Sequence, residues 1–229
     1  MKYSKIREAV FVKRPNRFTA VVEIDGVEET VHVNNTGRCE ELLIPGCIVI
    51  LSESDNEKRK TKYDLVAVYR EEYGIINIDS LAPNAVIKEW LQAGNDLFPG
   101  IDYLKPECDY DKSRFDFYLE KDDRKIFIEA KGCTLIKHAT GYFPDAPTER
   151  GTKHLRELIE AVADGYECYI AFVIQVNGID CVLPNKETDP DFRDALVDAI
   201  KAGVKLLFIK CNVTPDEITV RDTQLITHL

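Results

Sequence analysis

The sequence lacks the features that define several protein classes. It has no apolar run of the roughly 18–20 residues that a transmembrane helix needs. With 12 glycines and 10 prolines among 229 residues, it is neither collagen-like nor of low complexity. The opening stretch, MKYSKIREAVFVKRPNRF, has neither the apolar core nor the small-residue cleavage site of a signal peptide. We therefore expect a folded cytoplasmic protein that does not bind membranes.

Cysteine spacing of the kind that holds zinc or forms a disulfide framework is also missing. The seven cysteines are odd in number and scattered, with no CxxC pair and no nearby Cys/His quartet. Most lie in apolar runs, where a free thiol behaves as a small hydrophobic side chain. They are Cys39, Cys47, Cys108, Cys133, Cys168, Cys181 and Cys211.

The chain has no excess of positive charge. Its 30 Lys and Arg residues stand against 40 Asp and Glu residues, which gives a net charge of −10. Bulk attraction to nucleic acid is therefore excluded, and any such binding must use local basic patches.

Short apolar runs alternate with turn signals from about residue 9 to residue 78. Six of them are predicted as strands: AVFV, RFTAVVEI, ETVHV, CIVILS, YDLVAVY and GIINI. Asp25-Gly26 is a hairpin turn signal between the second and third. Strands at this spacing indicate a small barrel or sandwich, and a five-stranded oligonucleotide-binding (OB) barrel fits the length.

The hydrophobic period changes from strand-like to helix-like at Pro83, and Asn84 is a candidate cap for a helix that Gly94 closes. Three strands, a helix over about 148–164 and a continuous apolar strand follow, in the order αβββαβ. A short strand near CVLP, a helix over 190–202 and the strand KLLFIKC complete this part. We therefore predict an α+β protein of two domains, 1–82 and 83–229.

Two predicted strands, RFDFYLE and KIFIEAKGC, carry the residues best suited to chemistry. If Asp122-Asp123 is the turn between them, Asp116 lies opposite Glu129, and strict alternation places Lys131 on the same face. Directly opposed carboxylates destabilise a sheet, and a divalent cation such as Mg²⁺ or Mn²⁺ would relieve that repulsion. The alternative is an exposed hairpin whose acids are merely solvated.

An Asp followed by Glu-x-Lys on the neighbouring strand, inside an αβββαβ order, resembles the PD-(D/E)xK nuclease superfamily. The resemblance implies a restriction-endonuclease-like fold for residues 83–229. It also implies that Asp116 and Glu129 bind a metal ion and that Lys131 assists attack on a phosphodiester. Glu89, in the preceding helix, is then a further metal ligand. The Pro expected before the Asp is replaced by Phe115.

Six separated strings extend the resemblance over most of the chain. They are NNTGR, SDNEKRK, SRFDF, IEAKGCTL, GYFPDA and TERGTKHLREL. In this order they resemble the sugar fermentation stimulation protein family. That resemblance implies an OB barrel joined to a nuclease-like domain, DNA binding, and a role in regulating sugar metabolism, notably that of maltose.

Basic residues in three loops and one helix are candidate phosphate contacts. Stacking aromatics near them, Phe18 and Tyr63, would suit a bound strand. A solvated loop balanced by Asp55, Glu57 and Asp64 is the alternative for the loop at 58–62. The candidate DNA-binding residues are Arg14, Arg17, Arg38, Lys58, Arg59, Lys60, Arg150 and Lys153.

Three further residues have two interpretations each. His154 is either a general base or a histidine at the edge of the core beside Leu158. Glu107 and Asp145 either add a carboxylate to a metal site or are simply solvated.

Three functions follow from these patterns together with what the family resemblance implies. The first is a Mg²⁺-dependent phosphodiesterase acting on single- or double-stranded DNA. The second is a DNA-binding regulator that keeps the nuclease fold without turnover. The third is an RNA-processing enzyme, because nothing in the sequence distinguishes a 2′-hydroxyl.

Overall fold

Six strands form the first domain, as the alternating apolar runs predict. They are β1 (Ile6–Asn16), β2 (Thr19–Ile24), β3 (Val27–Val33), β4 (Ile48–Glu53), β5 (Tyr63–Arg70) and β6 (Gly74–Asn77). The strand order is β3-β2-β1-β4-β5-β6, and a parallel pairing of β3 with β5 closes a barrel. Asp25 and Gly26 both have positive φ and make the predicted two-residue turn between β2 and β3.

This structure is a computed structural model that describes residues 1–35, 37–56, 58–111 and 113–226. Thr36 of the NNTGR string and Glu57, which was expected to balance the basic loop, lie outside the described residues. In the described part of the chain, no helix is both long and apolar enough to cross a membrane.

The second domain is a mixed sheet with helices on both faces. Its elements are α1 (Ala82–Ala93), β7 (Tyr103–Tyr110), β8 (Ser113–Lys121), β9 (Arg124–Cys133), β10 (Leu135–Lys137), β11 (Thr140–Phe143), α2 (Glu149–Ala163), β12 (Glu167–Ile174), β13 (Val182–Pro184), α3 (Pro190–Ala202), β14 (Lys205–Val213) and β15 (Ile218–Ile226). The main sheet has the order β15-β14-β12-β9-β8-β7, with β9, β12 and β14 parallel. β10, β11 and β13 form a separate three-stranded sheet.

The two faces of the main sheet carry different apolar clusters. One cluster joins α1, through Val86 and Ile87, to Phe117 and Ile128 of the sheet. The other joins α2, through side chains such as Leu155, to the opposite face and to the barrel. The predicted αβββαβ order is present, with the β10–β11 hairpin inserted before α2.

The start of α1 differs from the prediction that Asn84 caps it. The helix begins at Ala82, and its N-cap is Leu81, whose side chain makes no capping hydrogen bond. Pro83 fits this first turn because its missing N–H would have no helical partner. Asn84 is therefore free to bind Asp116 instead. The helix ends at Gly94, with φ of +84°, as predicted.

A buried polar network joins the two domains. Gln175, which follows β12, donates to the side-chain oxygen of Asn77 at 2.8 Å and to the carbonyl of Asp79 at 3.1 Å. The Asn77 backbone N–H donates to the Gln175 carbonyl at 3.0 Å. Ile76 and Val176 also form a backbone bridge, so the end of the barrel is tied to the main sheet. The boundary at residues 82–83, near the start of α1, stays a prediction.

Candidate active site

The register of the β8–β9 hairpin is the one that the Asp122-Asp123 turn predicts. Lys121 pairs with Arg124, Glu120 with Lys125, and Phe117 with Ile128. The paired ladder ends at Phe117 and Ile128, so Asp116 and Glu129 follow the last paired position instead of facing each other within it.

Phe115, Phe117 and Leu119 alternate along β8, but Phe115 does not share a face with the other two. Phe117 and Leu119 belong to the cluster under α1. Phe115 belongs to the other cluster, where its ring centroid lies 4.9 Å from that of Phe127. The strand therefore changes face at Asp116.

Both oxygens of the Asp116 carboxylate accept a hydrogen bond where the strand changes face. Its Oδ2 accepts from the backbone N–H of Ala130 at 2.8 Å, and its Oδ1 accepts from the side-chain amide of Asn84 at 2.8 Å. These bonds connect β8 to β9 and to α1. Burial, together with the negative charge of Glu129, raises the pKa of Asp116, and the two hydrogen bonds oppose that shift.

Glu129 is almost completely buried, with a side chain 3% exposed. Its Oε1 accepts a hydrogen bond from Lys131 Nζ at 2.6 Å and also contacts Nδ1 of His154. Burial alone would raise the pKa of Glu129, but the Lys131 ammonium and the His154 contact outweigh it, so this pKa lies below its usual range. The second oxygen, Oε2, is buried and has no hydrogen-bond partner.

These residues suit a hard divalent cation. A buried carboxylate oxygen without a partner is unfavourable, and a cation beside it would satisfy that oxygen. Among the described residues there is no cluster of three or more His, Cys, Asp and Glu side chains able to hold a metal. Mg²⁺ does not need one, because it is commonly held by one or two carboxylates together with water and phosphate oxygens. Asp116 and Glu129 are two carboxylates of the kind that would hold such an ion.

Glu89, the expected third metal ligand, is not brought to this pair. Its side chain is 61% exposed and binds the amino group of Met1. Five residues separate it from Asn84, a rotation of about 140° around the helix, so the two side chains point away from each other. Asn84 is the α1 residue that reaches the site, and sequence reasoning assigned it only to a helix cap.

An open cleft of about 600 Å³ includes His154, the residue that contacts Glu129. It is lined by Ser113, Arg114, Glu149, Arg150, Lys153 and His154. Arg150 and Lys153 were expected to contact phosphate, and both are exposed on the first turns of α2. His154, on the same helix, is only 5% exposed. It contacts Phe115 and Glu129.

Arg114 is a cleft residue that sequence reasoning missed as a phosphate contact. It stands two positions before Asp116, and that spacing was the available signal. Its guanidinium lies 3.5 Å from the carboxylate of Glu107, and both side chains are more than half exposed. Glu107 therefore pairs with a cation at the cleft.

Arg14 has a different environment from the one expected of a phosphate contact. Its guanidinium donates to the carbonyl oxygens of Gly37 at 2.8 Å, Arg38 at 2.7 Å and Arg17 at 2.9 Å. These bonds hold the loop after β3 against the turn after β1. The same loop touches the second domain, because a Cβ on Gly37 would lie 2.2 Å from Asp145 Oδ2.

Arg17 and Arg38 remain exposed on a groove of the barrel. The groove measures about 370 Å³ and is also lined by Lys13 and by the uncharged Phe11 and Leu43, among others. Beside it, the Arg17 guanidinium lies 4.9 Å from the centroid of the Phe18 ring, which is 48% exposed. An exposed aromatic ring with a basic neighbour is suited to stacking on a nucleobase.

The basic loop between β4 and β5 contains an arginine that is bound to an acid and lysines that are exposed. Arg59 donates two hydrogen bonds to Asp64, at 2.7 and 2.6 Å, and is held against the barrel. Lys58 and Lys60 are exposed. Tyr63, expected to stack on a base, is only 5% exposed and belongs to the core.

Comparisons with known proteins cover nearly the whole chain. Two family models match, the SfsA N-terminal OB domain over residues 12–78 and the sugar fermentation stimulation protein RE domain over residues 81–217. A sugar fermentation stimulation protein homolog of Desulfitobacterium hafniense is 55% identical over 222 residues, which is 97% of this chain and 96% of that protein. One from Ruminiclostridium cellulolyticum is 52% identical over 213 residues, 93% of each chain.

A solved structure agrees with these relatives. The structure of Pyrococcus furiosus SfsA in complex with Ca²⁺ matches with a TM-score of 0.83 and 29% identity, covering 97% of this chain and 96% of that one. The protein therefore belongs to the sugar fermentation stimulation protein family, with an N-terminal OB barrel and a C-terminal mixed sheet flanked by helices.

Proposed function

We propose that this protein is a divalent-metal-dependent phosphodiesterase that acts on DNA. The observation that carries the proposal is the buried Oε2 of Glu129, which has no partner in a site shared with Asp116. A buried carboxylate and a half-buried one with a lysine beside them suit phosphodiester hydrolysis by a bound cation.

The side chains divide the chemical work between them. Asp116 and Glu129 would hold Mg²⁺ or Mn²⁺, which when bound supplies positive charge to a phosphoryl oxygen and makes a nearby water more acidic. Lys131 donates one hydrogen bond to Glu129 and keeps further ammonium protons for a phosphate oxygen on which negative charge develops. The Pyrococcus furiosus relative was solved in complex with Ca²⁺, which supports a family site for hard cations.

Local positive charge supports a nucleic acid substrate in spite of the net charge of −10. Arg114, Arg150 and Lys153 line the cleft that includes His154, the residue in contact with Glu129. In the barrel, Arg17 with Phe18 offers a stacking position for a single strand. We infer that the barrel holds the DNA strand and that the second domain cuts it.

The test is cleavage of end-labelled single- and double-stranded DNA in Mg²⁺ or Mn²⁺, against the same reaction in EDTA. The conservative variant Asp116→Asn removes the charge that would bind the metal. The matched control is Asp122→Asn on the same hairpin, whose side chain is 76% exposed. We expect metal-dependent cleavage in the wild type and the control, and a loss of at least about a hundredfold in Asp116→Asn.

Other outcomes assign the alternative functions. DNA binding and Mn²⁺ binding without cleavage of any nucleic acid would favour the non-catalytic DNA-binding regulator. Cleavage confined to a matched RNA substrate would favour RNA processing. Equal cleavage by the wild type and Asp116→Asn would refute the proposed site.

A further inference from the structure

His154 lies between the cleft and the acidic pair, and both of its ring nitrogens are engaged. Nδ1 contacts Oε1 of Glu129, and Nε2 lies 3.4 Å from Nε of Arg150. The ring is 5% exposed and packs edge-on against Phe115, with 6.4 Å between ring centroids. The orientation of the imidazole is therefore set on three sides.

These contacts determine the tautomer. The Arg150 guanidinium carries only donors, so Nε2 of His154 must be the acceptor. The ring proton is then on Nδ1, which donates to Glu129. Oε1 of Glu129 receives this bond and the one from Lys131, and Oε2 is left without a partner.

We propose that His154 is a positioning residue, which fixes the rotation of the Glu129 carboxylate so that Oε2 is presented to the cation. Lys131 alone cannot do this, because its single hydrogen bond can be made to either carboxylate oxygen of Glu129. The hydrogen bond from Nδ1 of His154 reaches Oε1 from a second direction, and this leaves Oε2 for the cation. Arg150 acts indirectly: its bond to Nε2 of His154 favours the tautomer in which Nδ1 carries the proton. This inference rests on the metal site proposed above.

The test is calorimetric titration of Mn²⁺ into the full-length protein. His154→Asn keeps a side-chain N–H near the position of Nδ1, whereas His154→Leu removes the donor and keeps an apolar side chain of similar size. Arg156→Gln, on the exposed face of the same helix, is the control. We expect Mn²⁺ affinity to fall by about tenfold to a hundredfold in His154→Leu, and to be largely retained in His154→Asn and in the control.

A merely structural histidine gives a different pattern. His154→Leu would then lower the melting temperature while binding Mn²⁺ as tightly as the wild type, and this result overturns the proposal. A measurement on the wild type does not depend on the variant folding. In ¹H–¹⁵N correlation spectra of the histidine rings, assigned by the signal lost in His154→Asn, we expect the Nδ1–H tautomer. The Nε2–H tautomer overturns the proposal.

The same titration with Asp116→Asn separates the two ideas. If Asp116→Asn and His154→Leu both bind Mn²⁺ as the wild type does, the metal site itself is refuted. If only Asp116→Asn weakens binding, the metal site stands and the positioning role of His154 is refuted.

Discussion

The two domains use charged side chains in opposite ways. In the second domain, Asp116 and Glu129 are largely removed from water, and three of their four oxygens accept hydrogen bonds. In the first domain, Lys58 and Lys60 are exposed, whereas their neighbour Arg59 is bound to Asp64. A buried charge needs partners, so its partners define its role, while an exposed charge is available to a ligand.

Removing a partner from the buried group should give the largest effect. In Lys131→Met, the Glu129 carboxylate stays buried and loses its cation, with Lys131 itself only 14% exposed. We expect a loss of about 3 kcal/mol in the free energy of unfolding, measured with urea. The double variant Lys131→Met with Glu129→Gln should recover much of this loss, because no unpaired charge remains buried. A stability equal to that of the wild type in Lys131→Met alone would contradict this account.

Arg59 should behave as part of the fold, unlike the lysines beside it. We expect Arg59→Ala to lower the free energy of unfolding by about 1–2 kcal/mol, because it removes two charge-assisted hydrogen bonds to Asp64. Lys58→Ala is the matched control and should leave stability unchanged. An Arg59→Ala protein as stable as Lys58→Ala would show that the ion pair contributes nothing.

The loss of stability in Arg59→Ala should also depend on pH, and it should become smaller in acid. Burial alone would raise the pKa of Asp64, but the bonds from Arg59 and His32 outweigh it and lower that pKa. A lowered pKa gives stability that is present above the unfolded value of about 3.9 and is lost as the pH falls below it. The difference between the wild type and Arg59→Ala should therefore be constant from pH 7 to about pH 5 and shrink in more acidic solution.

The comparison also shows which features the sequence could predict. The hairpin register followed from the Asp122-Asp123 turn, because a two-residue turn sets every pair after it. The change of face at Asp116 did not follow, because it depends on Asn84 and Ala130, which only the tertiary structure brings to that carboxylate. β15 was missed for a related reason, since most of its residues are at least partly exposed and give no apolar alternation.

The basic residues show the same limit. The sequence predicted a phosphate contact at each of Arg14, Arg59 and Lys58, because a cation in a loop has the same signature whatever surrounds it. Arg14 binds four backbone carbonyls in two adjacent loops and Arg59 binds an acid, so only the structure separates these two from the lysine. In β9, alternation predicted that Glu129 and Lys131 share a face, and the two side chains are in contact.

Exposed Lys and Arg side chains that contact phosphate should make the DNA affinity depend on salt concentration. We expect the pairs Lys58→Ala with Lys60→Ala, and Arg17→Ala with Arg38→Ala, each to flatten the plot of log K against log salt by about 0.7–0.9 per lost phosphate contact. Stability should not change. Binding to a fluorescent oligonucleotide at several salt concentrations measures both slopes, and the pair with the larger change identifies the surface that holds the strand. Slopes equal to that of the wild type for both pairs would place the strand elsewhere.

On the border between the domains, Asp79 is an acid that is buried without a cation. Its carboxylate accepts from the Leu81 N–H at 3.0 Å and the Tyr3 hydroxyl at 3.1 Å, both neutral donors. Burial therefore raises the pKa of Asp79, the opposite of the shift at Asp64. A raised pKa makes the ionised form unfavourable in the folded state, so this group adds stability as the pH falls toward the unfolded value of about 3.9.

The smallest effect is expected from removing this charge. We expect Asp79→Asn, which keeps the shape of the side chain, to be slightly more stable than the wild type at pH 7, because it carries no buried charge. That difference should disappear near pH 3, where the wild-type carboxyl is neutral in both states, and urea unfolding at both pH values measures it. A lower stability of Asp79→Asn at pH 7 would contradict this account. It would show that hydrogen bonds from the neutral donors Tyr3 and Leu81 are enough to stabilise the buried carboxylate.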